Sequence, residues 1–322
     1  MLWACLALPQ LPLEIAFRGD PQRGPRLLYS EGNLSKPSRA ARVQGARSAG
    51  TAVYVHVHED SEHRATPQSG RAVGFERFPE VGQRLLVTQA DAAAMAAGIH
   101  PGQSLGAARA RLPEVLAKPR QSLAEPAVQE TLAAWAYGFS SQVLCLPPTP
   151  QLPAALVLEV GGSLNLFDGW PGLSGLLRDG MRQLDHAHSL ACAPSVAGAW
   201  LLASAGHDGM AVTDGRQLQH ALAQLTLTQA GLAPRQLAAL QAMGLRRLGD
   251  VFTLPRPELA RRLGPELLGW LDRLRGQAPD PYLPYRPPTQ FFQRIEFDYG
   301  IQTHMALQFA LRRLCRELAA FV

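Results

Sequence analysis

The sequence predicts an α+β layer followed by an all-helical region, and three observations carry that reading. Residues 2–8 are continuously apolar, the pattern of a central strand buried on both faces. Further along, after a pair of short Ala-rich helices, strand-like runs alternate with amphipathic helical ones. From about Gln217 the pattern turns purely helical, with Pro234, Pro255 and Pro265 near helix starts, where a missing N–H costs no hydrogen bond.

The elements follow in order. Pro9 and Pro12 end the first strand. From Arg18 to about Gly70 the chain is rich in Gly, Ser, Arg and Pro, and only "TAVYVHVH" (51–58) reads as a strand, so most of this stretch is expected to be a flexible insertion. "RAVGFERF" and "QRLLVTQ" are short strand candidates. "ADAAAMAAGIHPGQSLGAARARL" reads as a helix closed by Gly98, a Pro-Gly turn, and a second helix with Ser104 as its N-cap. A longer helix spans about Glu125 to Tyr137. "SSQVLCLPP" and "AALVLEVGGSLNLF" look like two strands joined by a Pro-rich turn, "GLSGLLRDGMRQL" like an amphipathic helix, "HSLACAP" like a strand and "SVAGAWLLASAG" like another helix. "PDPYLPYRPPTQ" (279–290) is a Pro-rich linker. Beyond it come a strand in "FFQRIEFDYGIQ" and a helix still fully amphipathic at "AAFV", which predicts a further domain cut short.

Composition limits the function classes. With 322 residues, 47% hydrophobic and 18% charged, the chain supports two or three globular domains. No apolar run approaches the roughly 20 residues of a bilayer span, and the N-terminus lacks a basic n-region, so a cytoplasmic protein without membrane contact is expected. Cys5, Cys145, Cys192 and Cys315 lie far apart with no C-x-x-C pair, as expected of reduced core residues rather than a disulfide framework or a zinc site. A net charge of +5 permits a polyanion partner without demanding one.

"LAALQAMGLRRLGDVFTLPRPELARRLG" says more. Leu237, Leu240, Leu245, Leu248 and Val251 supply apolar faces to two helices meeting at "MGLRRLGD". There Gly244 can take positive φ and Gly249 allows close approach of a ligand. This is a helix-hairpin-helix pattern. Such a hairpin aims backbone N–H groups at one phosphate and reads no base. Gly244, Leu245, Arg246, Arg247, Leu248 and Gly249 are the predicted contacts, with Arg261 and Arg262 adding positive charge.

With that module behind an α+β layer, nearly the whole chain resembles a Y-family, translesion-type DNA polymerase. "AAGIHPGQSLGAARARLPEVL" is similar to the family's fingers segment, "LEVGGSLNLFDG" to its palm motif, and "AMGLRRLGDVFTLPRPELARRLG" to its thumb. The resemblance implies a palm at 1–17 and 118–215 and small fingers at 18–117 with the insertion at about 20–70. It also implies a helix-hairpin-helix thumb at 216–278, a linker at 279–290, and the start of a little-finger domain at 291–322.

The same resemblance shows what has been lost. Polymerase chemistry needs carboxylates that hold two Mg²⁺ ions. Anchored on Leu13-Glu14, the family's first-strand aspartates fall on Cys5 and Ala7, and its aromatic pair on Pro9 and Gln10; anchored on "LEVGGSLNLF", its Asp-Glu pair falls on Ala154 and Ala155. Glu14 and Glu159 match structural acidic positions. The Tyr and Arg that grip triphosphate in the fingers fall on Ala92 and Met95, the palm's Asn-Lys pair on Ser195 and Val196, and a further Lys on Gly206, next to a retained Asp208. Among Y-family relatives the pattern resembles the ImuB type, described as catalytically inactive homologues in a bacterial damage-induced mutagenesis system. No metal or nucleotide cofactor is then expected, and the implied role is a scaffold that binds primer-template DNA without sequence preference. The implied partners are an ImuA-type RecA-like protein, a DnaE-type error-prone polymerase and the sliding clamp, reached through segments beyond Val322. The competing reading is an active, unusual Y-family polymerase that uses Mg²⁺.

Lesser candidates remain. His56 and His58 in "HVHEDSEH" could approach a metal but read as a solvated tip, and His186 and His188 as surface turn residues. "SLNLF" (163–167) resembles a short clamp-binding peptide, yet its place in the palm reads as core and rim.

Overall fold

Unbroken apolar sequence places β1 (Trp3–Ala7) inside a sheet, with every residue after Trp3 buried. The computed structural model describes residues 1–20, 22–31, 52–56, 85–287, 292–296 and 304–321. The chain divides into two units, Met1–Leu11 with Glu125–Pro287, and Pro12–Ala124 with Pro288–Val322.

In the first unit β1 is flanked by β3 (Ala155–Glu159) and β4 (Ser189–Ala193), with β2 (Val143–Leu146) outside β3, giving a four-stranded sheet in the order β2-β3-β1-β4. Every pairing is antiparallel. Helix α1 (Glu125–Ala136) packs on β2 and β3. There the buried Gln129 side chain donates to the carbonyls of Leu146 and Ala155, each at 2.8 Å, so an amide closes the end of this strand pair. The amphipathic helix α2 (Gly169–Gln183) follows a 3₁₀ turn at Leu164–Phe167. Its Gly180 is required by Trp135, whose ring would lie 2.3 Å from an added Cβ. Helix α3 (Val196–Ser204), apolar all round, crosses β1, β3 and β4.

Five helices complete the unit: α4 (Gly215–Gln224), α5 (Pro234–Ala242), α6 (Leu248–Phe252), α7 (Arg256–Leu263) and α8 (Pro265–Leu274). Pro234 and Pro265 occupy first helical turns and Pro255 the cap before one, as the sequence predicts. One apolar cluster runs from Cys5, Ala7 and Val157 through Trp200 to Leu240, Leu248, Val251 and Leu271. The sheet and the helical region therefore share a core.

In the second unit a helix at Ala92–Ala96 is capped by Asp91, ends at Gly98 (φ 82°), and is followed by a helix at Leu105–Arg111 whose N-cap is Ser104. This matches the predicted αα pair. The sequence reading omitted two strands. Arg26–Glu31, inside the stretch read as insertion, pairs antiparallel with Leu85–Ala90 and parallel with Leu116–Pro119. Leu27 and Leu28 are fully buried and enter different clusters, which is what a strand in a packed sheet requires. Ala52–His56 forms the expected strand and pairs antiparallel with Phe292–Glu296. His58, "RAVGFERF" and most of the 20–70 stretch lie outside the described residues.

Candidate nucleic-acid interface and palm positions

The sheet register brings the palm positions of the resemblance together. Ala7 stands opposite Ala155, and Cys5 opposite Val157 and Ala191, so Cys5, Ala7 and Ala155 face the same side. Ala154 lies one residue further, its carbonyl accepting the Leu8 N–H at 2.8 Å. None of the four is more than 5% exposed. Burial alone pushes the Cys5 thiol far above its ordinary range, so it is neutral and unreactive. Trp200 of α3 closes the neighbourhood, its indole N–H donating to the Pro153 carbonyl at 2.9 Å. Among the described residues, no cluster of three or more His, Cys, Asp or Glu could hold a metal ion.

Glu159 and Asp208 are engaged in structural contacts. Glu159 Oε1 accepts from the backbone N–H groups of Leu2 (3.0 Å) and Gly161 (3.2 Å), pinning the N-terminus against the turn after β3. Asp208 forms a two-pronged pair with Arg178 (2.7 and 3.0 Å) and accepts the Leu190 N–H at 2.8 Å, tying α2 to β4. The Arg178 hydrogen bonds hold its carboxyl below the usual carboxylate range. Ser195 caps α3 and donates to the Leu274 carbonyl at 2.7 Å, fastening α3 to α8, while Val196 beside it is buried. Gly206 (φ 88°) follows α3, and Ala92 and Met95 are exposed on their short helix in the second unit. Not one of these four side chains can grip a phosphate.

Other sequence readings change. His186 is buried, not a surface turn residue, and Cys315 is exposed rather than in a core. "SLNLF" forms the 3₁₀ turn at the rim, with Leu166 79% exposed, so it is not core.

A turn joins α5 and α6 where the sequence places the hairpin, with Gly244 at φ 80°. The backbone donors from Gly244 to Leu248, however, are already used. Asp250 Oδ2 accepts from Arg246 N–H and Arg247 N–H at 2.9 Å each, Leu248 N–H donates to the Leu225 carbonyl, and Leu245 N–H and Gly244 N–H close onto α5. The Arg246 and Arg247 N–H groups hold the Asp250 carboxyl below its ordinary value, so it is charged. Gly249 serves packing instead of ligand approach: an added Cβ would lie 2.9 Å from the Ala223 carbonyl and 3.0 Å from the Ala223 Cβ. Arg247 is tied to Gln224 at 2.7 Å. Arg261 and Arg262 are exposed at the end of α7, with Arg262 reaching Met243 beside the hairpin. The spacing that signals Asp250, an acid three residues after the cap, was readable in "RRLGD".

Among solved structures, the chain superposes on DinB from Sulfolobus solfataricus with a TM-score of 0.57 at 12% identity, covering 99% of this chain and 94% of that one. The fold is that of a Y-family DNA polymerase. An insertion ternary complex of Dbh DNA polymerase gives a TM-score of 0.58 at 12% identity, covering 87% of this chain and 69% of that one. In sequence the chain is homologous to Protein ImuB of Caulobacter vibrioides, 30% identical over 203 residues. That match takes in 62% of this chain and 42% of the relative, so the chain spans less than half of the relative's length. No family model matches the chain.

Proposed function

We propose that this Y-family-shaped chain is a non-catalytic DNA-binding scaffold of bacterial damage-induced mutagenesis and translesion synthesis. The observation that carries the reading is the palm: where the resemblance calls for metal carboxylates, Cys5, Ala154 and Ala155 are small, apolar and buried beside α3. A two-metal centre needs charged oxygen donors, and these side chains offer none. The exposed Arg246, Arg261 and Arg262 near the hairpin support electrostatic binding to a phosphate backbone. The homology to ImuB supports the wider setting. In it, the sliding clamp, an ImuA-type RecA-like protein and a DnaE-type polymerase are the proposed partners.

Primer extension and DNA binding test the proposal together. Purified protein with a primer-template, all four nucleotides and Mg²⁺ or Mn²⁺ is expected to incorporate nothing. The same protein is expected to bind the duplex with an affinity that falls steeply between about 50 and 200 mM salt. Template-directed incorporation would establish the active-polymerase reading, and salt-insensitive or absent binding would remove the scaffold one.

A further inference from the structure

The sequence marks residues 279–290 as a linker, yet part of that segment lies on the first unit. Pro284 bridges Leu144 in an antiparallel pair, and Tyr285 N–H donates to the Val143 carbonyl at 2.6 Å. The linker therefore runs along the outer edge of the palm sheet, beside β2. Its residues alternate. Asp280 and Tyr282 are partly covered, while Pro281 and the 88% exposed Leu283 face outward. The Asp280 carboxylate accepts the Ala197 N–H in the first turn of α3, next to the Gly198 N–H that Ser195 takes. Tyr282 packs against the apolar cluster shared by the sheet and the helices. Burial, then the neighbouring Cys145 and Glu130, push the Tyr285 hydroxyl up to about 12, so it stays neutral beside β2.

Two properties distinguish this segment from a permanent strand. Asp280, Leu283 and Arg286 each precede a proline, which holds them away from helical conformations, so the segment is extended before it docks and loses little entropy in docking. Its hold is limited, however. Pro281 and Pro284 have no N–H to give to a strand, and Pro147 and Pro148 follow Leu146 at the end of β2, so pairing stays confined to the bridge at Leu144. Burial raises the Asp280 carboxyl above its ordinary range, against the pull of the Ala197 N–H and Arg273, and this desolvation offsets part of what the hydrogen bond contributes.

We propose that residues 280–285 form a releasable strap, which docks on the edge of the palm sheet and the start of α3 as one piece and opens as one piece. Docked, it leaves about six residues from Arg286, roughly 20 Å of extended chain, ahead of the strand Phe292–Glu296. Open, it frees the chain from Ala278, about fourteen residues and roughly 45–50 Å. The strap thus sets how much of the linker is available as a tether. It stands on these contacts alone and is independent of the DNA-binding reading.

Amide hydrogen exchange on the whole chain, resolved to single residues, tests the strap, with the amides of β1 as the control for folding. In the wild type the Tyr285 amide is expected to exchange about ten- to a thousandfold more slowly than an unstructured amide, and much faster than those of β1. Asp280→Ala removes the anchor at the far end of the strap. It is expected to speed Tyr285 exchange about three- to tenfold, and chymotrypsin cleavage after Tyr282 by the same factor, because one opening governs both. Asp280→Asn keeps an oxygen acceptor for the Ala197 N–H and is expected to stay within about twofold of wild type. A Tyr285 amide without protection would mean that the segment does not dock, and protection equal to that of β1 would make it a permanent fifth strand. Either result overturns the strap. So would a Tyr285 amide indifferent to Asp280→Ala, since the anchors would then act separately, or an Asp280→Asn variant as open as Asp280→Ala, since the hydrogen bond to α3 would then hold nothing.

Discussion

Placing a single acid at position 5 tests the proposal that the palm has no metal site. Cys5 is fully buried in the middle of β1, between Val157 and Ala191 on the flanking strands, and belongs to an apolar cluster. In Cys5→Asp the folded state would hold the carboxyl protonated, because nothing in that cluster pairs with a charge. An unfolded Asp has a pKa of about 3.9, so keeping it neutral at pH 7 costs 1.36 kcal/mol per unit over about three units, or about 4 kcal/mol. Burying the neutral carboxyl without partners adds about 1–3 kcal/mol, against a total stability of about 5–15 kcal/mol for a domain. The sign follows from linkage. A pKa raised by folding means that the folded state binds more protons, so the variant loses stability as pH rises from about 4 towards 7 and regains about 2.7 kcal/mol between pH 7 and pH 5. Urea midpoints of variant and wild type at both pH values measure this, with and without Mg²⁺. A variant as stable as wild type at pH 7, or one that Mg²⁺ stabilises, would show that position 5 still opens to solvent or metal. Adding Ala154→Asp and Ala155→Glu is not expected to bring polymerisation back, since Ala92, Met95, Val196 and Gly206 supply no phosphate ligands.

Two further predictions concern the frame around the site. Gly249→Ala should destabilise the protein by about 1–3 kcal/mol in chemical denaturation, because the new methyl meets the Ala223 backbone carbonyl, which cannot swing aside; unchanged stability would mean that Gly249 is not a packing residue. Asp208→Asn should destabilise modestly at pH 7, since the pair with Arg178 is half in solvent and screened. The carboxyl is held below its ordinary value, so its contribution is present above the unfolded pKa and lost as pH falls through the folded one; the gap between wild type and variant in urea midpoint should therefore shrink on acidification towards pH 3. A gap that widened instead would refute the assignment.

Apolar periodicity carried most of the architecture, because burial is what periodicity encodes. The β1 strand, the Ala-rich helix pair with its Ser104 cap and the proline-led helices were all legible that way. Arg26–Glu31 was not, since its two buried leucines sit among Gly, Pro and Arg and give no alternation longer than a pair. Leu116–Pro119 is four residues with a lysine and a proline, too short for any pattern to rise above its neighbours. At the hairpin, glycine placement was legible but its purpose was not. A glycine needed for a ligand and one needed for a neighbouring helix read alike in sequence, and only the Ala223 contact separates them at Gly249. His186 was misread for a similar reason: "DHAHS" is polar by composition, while its burial is decided by tertiary packing.

The absence of acids from the sheet face bearing Cys5, Ala7 and Ala155 and its cover by α3 are physically coupled. Clustered carboxylates repel one another without a metal and need water or a cation between them, so a sheet face that bears them cannot be covered by an apolar helix. With Cys5, Ala7 and Ala155 on that face, α3 lies directly on the strands, and the same apolar cluster continues into the helices on either side of the α5–α6 turn. Ser195 reinforces that continuity by tying the start of α3 to the end of α8. Buried apolar side chains join the sheet to the helices on either side of the α5–α6 turn. Under the scaffold reading proposed above, the same apolar side chains that offer no metal ligand would also fasten the DNA-binding helices to the sheet.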